Sequence, residues 1–210
     1  MAGSLTQSIE SAARLIVESD HLVALVGAGL STESGIPTFR GLGGLWTRLG
    51  EPSMRGYQQF LDDPAAWWEH QQDDQADPAR TEFREAIDRA VPNPGHHALA
   101  ELERLGILKL TITQNVDNLH VRAGSERVAE IHGNRTKMRC IACESRWPRD
   151  EFPFESSPPK CPECGGLVKG DTVMFGEPIP RGVLDRCFEA TEWCDGMLAA
   201  GTSATVYPAA

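Results

Sequence analysis

Hydrophobic and polar positions alternate along this chain in two distinct periods. Leu22 to Val26 (LVALV) is apolar without a break and rich in β-branched residues, the pattern of a strand buried on both faces. Before it, Ile9, Ala12, Ala13, Ile16 and Val17 recur at helical spacing, which predicts an amphipathic helix over about Leu5 to Ser19. Further strands are predicted at Ile107–Thr113 (ILKLTIT), at Val128–Ile131, at Thr172–Phe175 and at Gly196–Ala200. From Pro52 to Val91, Phe60, Leu61, Trp67, Trp68, Phe83 and Ile87 stand as apolar anchors among charged residues, reading as a helical stretch with Trp67 and Trp68 in its core. Asp73 to Pro78 reads as a solvated turn within it. Asn93 opens another helix that ends at Gly106.

Candidate chemistry sits where strands end. After Val26 come Gly27-Ala28-Gly29, with Ser31, Thr32 and Ser34 as candidate N-caps of a following helix. Glycines at a strand-to-helix turn let bare backbone N–H groups approach a pyrophosphate, and the helix start favours an anion. The full dinucleotide fingerprint wants glycine where this chain has Thr32, so the turn alone leaves a ligand-free reading open. Gln114-Asn115-Val116-Asp117-Asn118-Leu119-His120 follows the second strand, and ligands of open parallel sheets bind beyond the carboxyl ends of strands. Asn115 and Asp117 suit a ribose hydroxyl and a carboxamide, although an Asx-rich turn has the same composition. Gly41 to Trp46 reads as a glycine-flanked loop able to close over a ligand. His96 at a helix start reads as packing or capping.

The six cysteines change the picture most. Cys140-x2-Cys143 and Cys161-x2-Cys164 are separated by seventeen residues, the spacing of a four-cysteine zinc site. Four thiolates leave no open position, so the one ion is structural; two matched pairs also disfavour a thioredoxin-like redox centre. Cys187 and Cys194 fall outside the pattern and read as buried free thiols. The net charge of -10 and a pI near 5.1 argue against direct nucleic-acid binding and suit a cationic, lysine-bearing partner. No apolar run reaches the roughly 20 residues of a membrane span. The N-terminus has no basic n-region or signal-type apolar run, so a cytoplasmic location is expected.

In order along the chain, GAGLSTESGIPTFRG (27–41), PNPGHHAL, QNVDNLH, HGN (132–134), the paired C-x-x-C knuckles, VMFGE (173–177) and GTS (201–203) resemble the signatures of the sirtuins, the NAD-dependent protein deacylases. The likeness spans about Leu22 to Pro208. It implies an α/β fold: a doubly wound Rossmann-type parallel sheet over 1–136 and 169–210, a small zinc-binding module inserted at 137–168, and a helical insertion near 44–92. It implies NAD contacts from Gly27, Ala28, Gly29, Ser31, Thr38, Phe39, Arg40, Gln114, Asn115, Asp117, Gly201, Thr202 and Ser203. Asn115 and His132 become the catalytic residues, His132 as general base at an ordinary pKa near 6.5. Val173, Met174, Phe175, Gly176 and Glu177 would pair with the substrate backbone and line an acyl-lysine tunnel.

The implied reaction consumes NAD. The acyl oxygen of a modified lysine attacks the ribose C1′ as nicotinamide leaves, and His132 takes a proton from a ribose hydroxyl. Lysine, nicotinamide and O-acyl-ADP-ribose result. Thr38 replaces the aspartate of many sirtuins. Relatives preferring acidic acyl groups carry Tyr and Arg near Trp67-Trp68-Glu69-His70-Gln71, where no arginine occurs before Arg80, so an acetyl or apolar acyl group is expected. Sirtuins usually continue beyond the position of Pro208 through a helix and a strand, a segment this reading takes as missing here, with apolar surface left uncovered. NAD glycohydrolysis or ADP-ribosyl transfer on the same scaffold, and a catalytically inactive zinc-stabilised binding protein, are the alternatives.

Overall fold

A computed structural model describes residues 4–73, 77–207 and 209. In chain order its elements begin with α1 (Leu5–Glu18), β1 (Leu22–Val26) and a 3₁₀ turn at Ala28–Ser34. The helices α2 (Leu45–Leu49), α3 (Gly56–Asp62), α4 (Pro64–Asp73), α5 (Pro78–Arg89) and α6 (Pro94–Arg104) follow. Then come β2 (Leu108–Thr113), α7 (Leu119–Arg122), β3 (Val128–Glu130), β4 (Lys137–Cys140), β5 (Arg146–Pro148) and β6 (Val168–Gly170). The last two are α8 (Arg181–Trp193) and β7 (Gly196–Ala200).

The larger sheet has the order β3-β2-β1-β7 and is parallel throughout. All of β1 is buried, because helices cover both faces, and its alternating side chains enter two cores. Val23 and Leu25 join Leu110, Ile112, Ala129 and Cys187, against which Val183 and Ala190 of α8 pack. Leu22, Ala24 and Val26 join Leu108 and Leu99, with Leu102 of α6 and Ile16 of α1 beside them. The chain leaves β1 toward β2 on one side and returns from α8 to β7 on the other. The strand order therefore reverses beside β1, and the loops after β1, β2 and β7 converge where such sheets bind ligands.

The smaller sheet is antiparallel, in the order β5-β4-β6. Its core is Met138, Cys140, Phe152, Cys161 and Val168, with Trp68 and Trp147 packed on it. Trp67 meets Phe60 at 5.1 Å between ring centroids, and Trp68 meets Phe154 at 6.2 Å. Both tryptophans thus serve packing, with Trp68 joining the helical stretch to the smaller sheet.

Several expectations are corrected. The turn after β1 continues as 3₁₀ rather than α-helix, with Gly27 at its N-cap and Gly35 closing it at φ 86°. Ser31, Thr32 and Ser34 lie inside it, and their hydroxyls bond tertiary or local groups instead of capping. Thr172–Phe175 is not a strand. Its backbone groups go to three separate partners, Val173 N–H to the His132 carbonyl, Glu177 N–H to Met174, and the Phe175 carbonyl to Tyr57 N–H, so no ladder forms. The first helix has the expected bounds but no buried residue; Ile9 is 60% and Val17 70% exposed. Cys194 is only half-buried, whereas Cys187 is buried; all six cysteines are free. Within the expected turn at 73–78, residues 74–76 lie outside the described residues.

Candidate active site

The loops after β1 and β7 are zipped together by backbone. Gly27 N–H donates to the Ala200 carbonyl at 3.1 Å and Gly29 N–H to the Gly201 carbonyl at 2.8 Å. A Cβ on Gly29 would stand 2.8 Å from the Gly201 Cα, and one on Gly201, whose φ is +63°, would stand 2.1 Å from the Leu30 nitrogen. Only glycine permits this approach.

The loop after β2 adds a buried polar chain. Asn115 donates from Nδ2 to the Gly27 carbonyl at 3.1 Å and to Ser31 Oγ at 3.0 Å. The Ser31 hydroxyl donates to Asp117 Oδ2 at 2.7 Å, and Asp117 Oδ1 accepts the Leu119 N–H. Gln114 Nε2 reaches Thr202 Oγ1 at 2.7 Å, tying the β2 loop to the β7 loop. The structure therefore brings together Gly27, Ala28, Gly29, Ser31, Gln114, Asn115, Asp117, Gly201 and Thr202 at the switch point. Ser203 lies just outside, paired with Thr205.

His132 comes from the end of β3, and its Nδ1 lies 3.1 Å from the Gln114 carbonyl. A carbonyl only accepts, so Nδ1 carries the proton and Nε2 is the basic atom. Burial holds its pKa below the ordinary 6.5, partly opposed by that carbonyl contact; the imidazole is neutral at pH 7. Gly133 follows at φ +77°, where a Cβ would stand 2.0 Å from the Asp171 carbonyl. Behind the site, His96 and His120 face each other at 4.9 Å, edge to face. Nδ1 of His96 accepts the Asn93 N–H, closing a capping box, the structural role its position suggests. Burial, then the neighbouring His96, pushes His120 down to about 4.

Thr38, Phe39 and Arg40 lie on a different loop. The Thr38 hydroxyl bonds the Arg40 carbonyl, and the Arg40 guanidinium bonds Glu51 at 2.8 Å and lies 4.7 Å over Trp46. Trp46 in turn meets Phe39 at 4.8 Å and Phe175 at 5.3 Å. This chain of rings joins the glycine-flanked loop to the stretch Val173–Glu177. The Glu177 side chain is turned inward and bonds Arg139, Lys169 and the Met174 N–H.

The four cysteine sulfurs lie within 4.8 Å of one another, with Cys140–Cys164 at 3.5 Å and Cys143–Cys161 at 3.7 Å. A disulfide needs about 2.05 Å. Four sulfurs at about 2.3 Å from a tetrahedral zinc stand about 3.8 Å apart. The set fits zinc.

A large cavity lies elsewhere. About 800 Å³ in volume, it lies between the helical stretch and the smaller sheet, beside Trp67, Trp68, Phe154, Arg84, Arg135 and Arg149. The tryptophans thus have arginines near them in space although none is near in sequence.

Arg139 and Asp171, both buried, were not marked by sequence motif, and Asn134, also buried, was marked only as the last residue of HGN. The alternation in β4 holds a partial signal: Met138 and Cys140 face the small core while Arg139 faces away from it, yet is equally buried and needs carboxylate partners.

A doubly wound parallel sheet with a polar, glycine-lined cleft at its switch point and a cysteine-rich insertion defines a nucleotide-binding α/β protein. Residues 27–208 match the Sir2 family model, and the chain belongs to the Sir2 family, the sirtuins. An NAD-dependent protein deacylase of Thermococcus kodakarensis is 44% identical over 205 residues, covering 95% of this chain and 76% of the relative. A solved Sir2 homolog–NAD complex superimposes with TM-score 0.73 at 44% identity, over 95% of this chain and 75% of that one. A Sir2 variant with a deacetylated p53 peptide and 3′-O-acetyl ADP ribose does so with TM-score 0.74 at 32% identity, over 96% and 79%.

Proposed function

We propose that this chain is an NAD-dependent protein-lysine deacetylase that moves the acyl group of acyl-lysine to ADP-ribose and releases nicotinamide. The observation that carries the reading is His132: a neutral imidazole with Nδ1 held by the Gln114 carbonyl and Nε2 left as base, next to the polar chain Asn115–Ser31–Asp117. NAD, when bound, supplies the electrophilic ribose carbon and nicotinamide as leaving group. The backbone of Gly27, Ala28 and Gly29 is suited to the pyrophosphate. Asn115, oriented through Ser31 and Asp117, presents an amide for the nicotinamide ribose. Gln114, Gly201 and Thr202 line the other wall, and Ser203 follows at its edge. His132 accepts a proton from a ribose hydroxyl at Nε2, a role worth about 10²- to 10⁴-fold in rate. Thr38, Phe39 and Arg40 belong to a loop that, with Trp46, excludes water from the reacting centre.

We further take Val173 to Glu177 as the stretch that receives the peptide backbone, by strand addition. Cys140, Cys143, Cys161 and Cys164 would hold one zinc ion, whose closed four-thiolate shell supplies order. Residues 137–168 then form the zinc module and 44–92 the helical insertion. A cytoplasmic location suits reduced cysteines.

The test is mass spectrometry of an acetyl-lysine peptide incubated with the protein, with and without NAD. Loss of acetyl that requires NAD and yields O-acetyl-ADP-ribose is expected, and His132→Ala should abolish it while retaining metal and fold. NAD cleavage that does not need the acylated peptide would overturn deacetylation in favour of glycohydrolysis.

A further inference from the structure

Between the antiparallel sheet and the candidate site lies a group of buried charges, of which only Glu177 belongs to a quoted signature. Asp171 is fully buried. Its Oδ1 accepts from Arg139 Nε at 2.9 Å and pairs with Arg146 at 3.0 Å, while its Oδ2 accepts the Asn134 backbone N–H at 3.0 Å. Arg139 reaches the other way with Nη2, to Glu177 Oε1 at 2.5 Å. Glu177 Oε2 accepts from Lys169 Nζ at 2.9 Å and from the Met174 N–H at 2.8 Å. Lys169 also donates to the carbonyls of Gly170 and Thr172.

Such a cluster is a poor device for stability alone. Desolvating ions costs about what their attraction returns, and apolar residues of similar volume commonly do as well. What charges add is directional contact with fixed geometry, and here the contacts end on two particular backbone segments. One is the turn His132-Gly133-Asn134, held by Asp171. The other is the stretch 172–177, whose turn is closed by the Glu177 carboxylate on the Met174 N–H and by the Glu177 N–H on the Met174 carbonyl. Arg139 spans the two carboxylates from β4, next to Cys140, and Lys169 lies opposite it on β6. The two segments also touch directly, through Val173 N–H and the His132 carbonyl at 2.8 Å.

We infer that this cluster is the positioning element of the site, with separate duties at its two ends: Glu177 shapes the stretch that receives the acylated peptide, Asp171 holds the turn that carries the general base, and Arg139 joins them to β4 beside Cys140. The inference rests on the proposed deacetylase reading for its kinetic consequences. Neither carboxylate touches substrate; each acts through the backbone it holds.

Glu177→Gln keeps the shape but loses the charge, and should raise KM for the acylated peptide on the order of tenfold while kcat changes less. Asp171→Asn should lower kcat on the order of tenfold with less change in KM. It should also move the acid limb of the pH profile upward, because a looser turn rehydrates His132, whose pKa is depressed mainly by burial. Arg139→Lys keeps the charge, but an ammonium on one stem cannot bridge both carboxylates; both signatures should appear at smaller size. Amide exchange is followed in parallel, with acceleration expected at 172–177 in the Glu177 variant and at 132–134 in the Asp171 variant. Kinetic constants that fall together with the folded fraction, or exchange unchanged at both segments, would overturn the inference. A wild-type protein without deacetylase activity would instead sink the proposed function, and the exchange data alone would then decide the positioning role.

Discussion

The two sheets of this protein are held together by different physics. The four-stranded sheet is organised around β1, in which every residue is buried, and the helices α6 and α8 seal its two faces with aliphatic side chains. Its strands need no ion. The three-stranded sheet has strands of three or four residues and a core of five buried residues, two of them cysteines. So small a core cannot offset the chain entropy of ordering the loop between β5 and β6. Its four cysteine sulfurs are grouped as a zinc shell would need, and its buried ion pairs add contacts of fixed geometry. Apolar burial is tolerant of shape, whereas thiolate and charge contacts are directional; the region rich in the second kind is the one that touches the turn carrying His132.

Metal removal should separate the two regions most sharply. Cys161→Ser, or a strong chelator, should release one zinc ion and with it binding free energy on the order of 10 kcal/mol. Amide exchange should then become fast across 137–170 while β1 and β2 stay protected. Collapse of both sheets together would show that the larger one is not self-sufficient. Leu108→Ala probes the opposite side. Leu108 is fully buried against Ala24, Val26 and Leu99, and its truncation should cost roughly 2–5 kcal/mol. A lower urea midpoint with unchanged metal content is expected.

Acid should act on the larger sheet through His120. Its folded pKa of about 4 lies below the ordinary value of 6.5, so between these values the unfolded chain binds more protons. Stability is therefore full above pH 6.5, declines as the pH falls through that window, and levels below pH 4; the loss is on the order of 3 kcal/mol. His96 and His132, also depressed by burial, act in the same direction. Urea midpoints from pH 7 to pH 4 check this, and His120→Asn should flatten the slope.

Local pattern carried a good deal of this. The unbroken run of β1 and the alternation of β2 depend on whether a few neighbouring side chains are apolar, which is visible in a string of residues. So does the pairing of C-x-x-C knuckles, because each knuckle is closed within four residues. Motif order along the chain then tied Gly27, Asn115, His132 and Gly201 to one site. How little of α1 is covered did not follow from its period, since periodicity reports a face and not how much packs on it; Ile16 meets the core while Ile9 and Val17 stay exposed. Thr172–Phe175 has the composition of a strand, but its hydrogen bonds are divided among His132, Glu177 and Tyr57.

By itself, then, the sequence determined the parallel sheet's strands, the grouping of four cysteine thiols and the family signatures, all set by short-range spacing. Tertiary structure alone decided that Glu177 turns inward and that Trp46 bridges Phe39 to Phe175. It alone joined Arg139 to both Asp171 and Glu177 across more than thirty positions of chain. Charged residues far apart in sequence carry no periodic mark of their partners, and only the folded chain, by excluding water around them, makes each pairing obligatory.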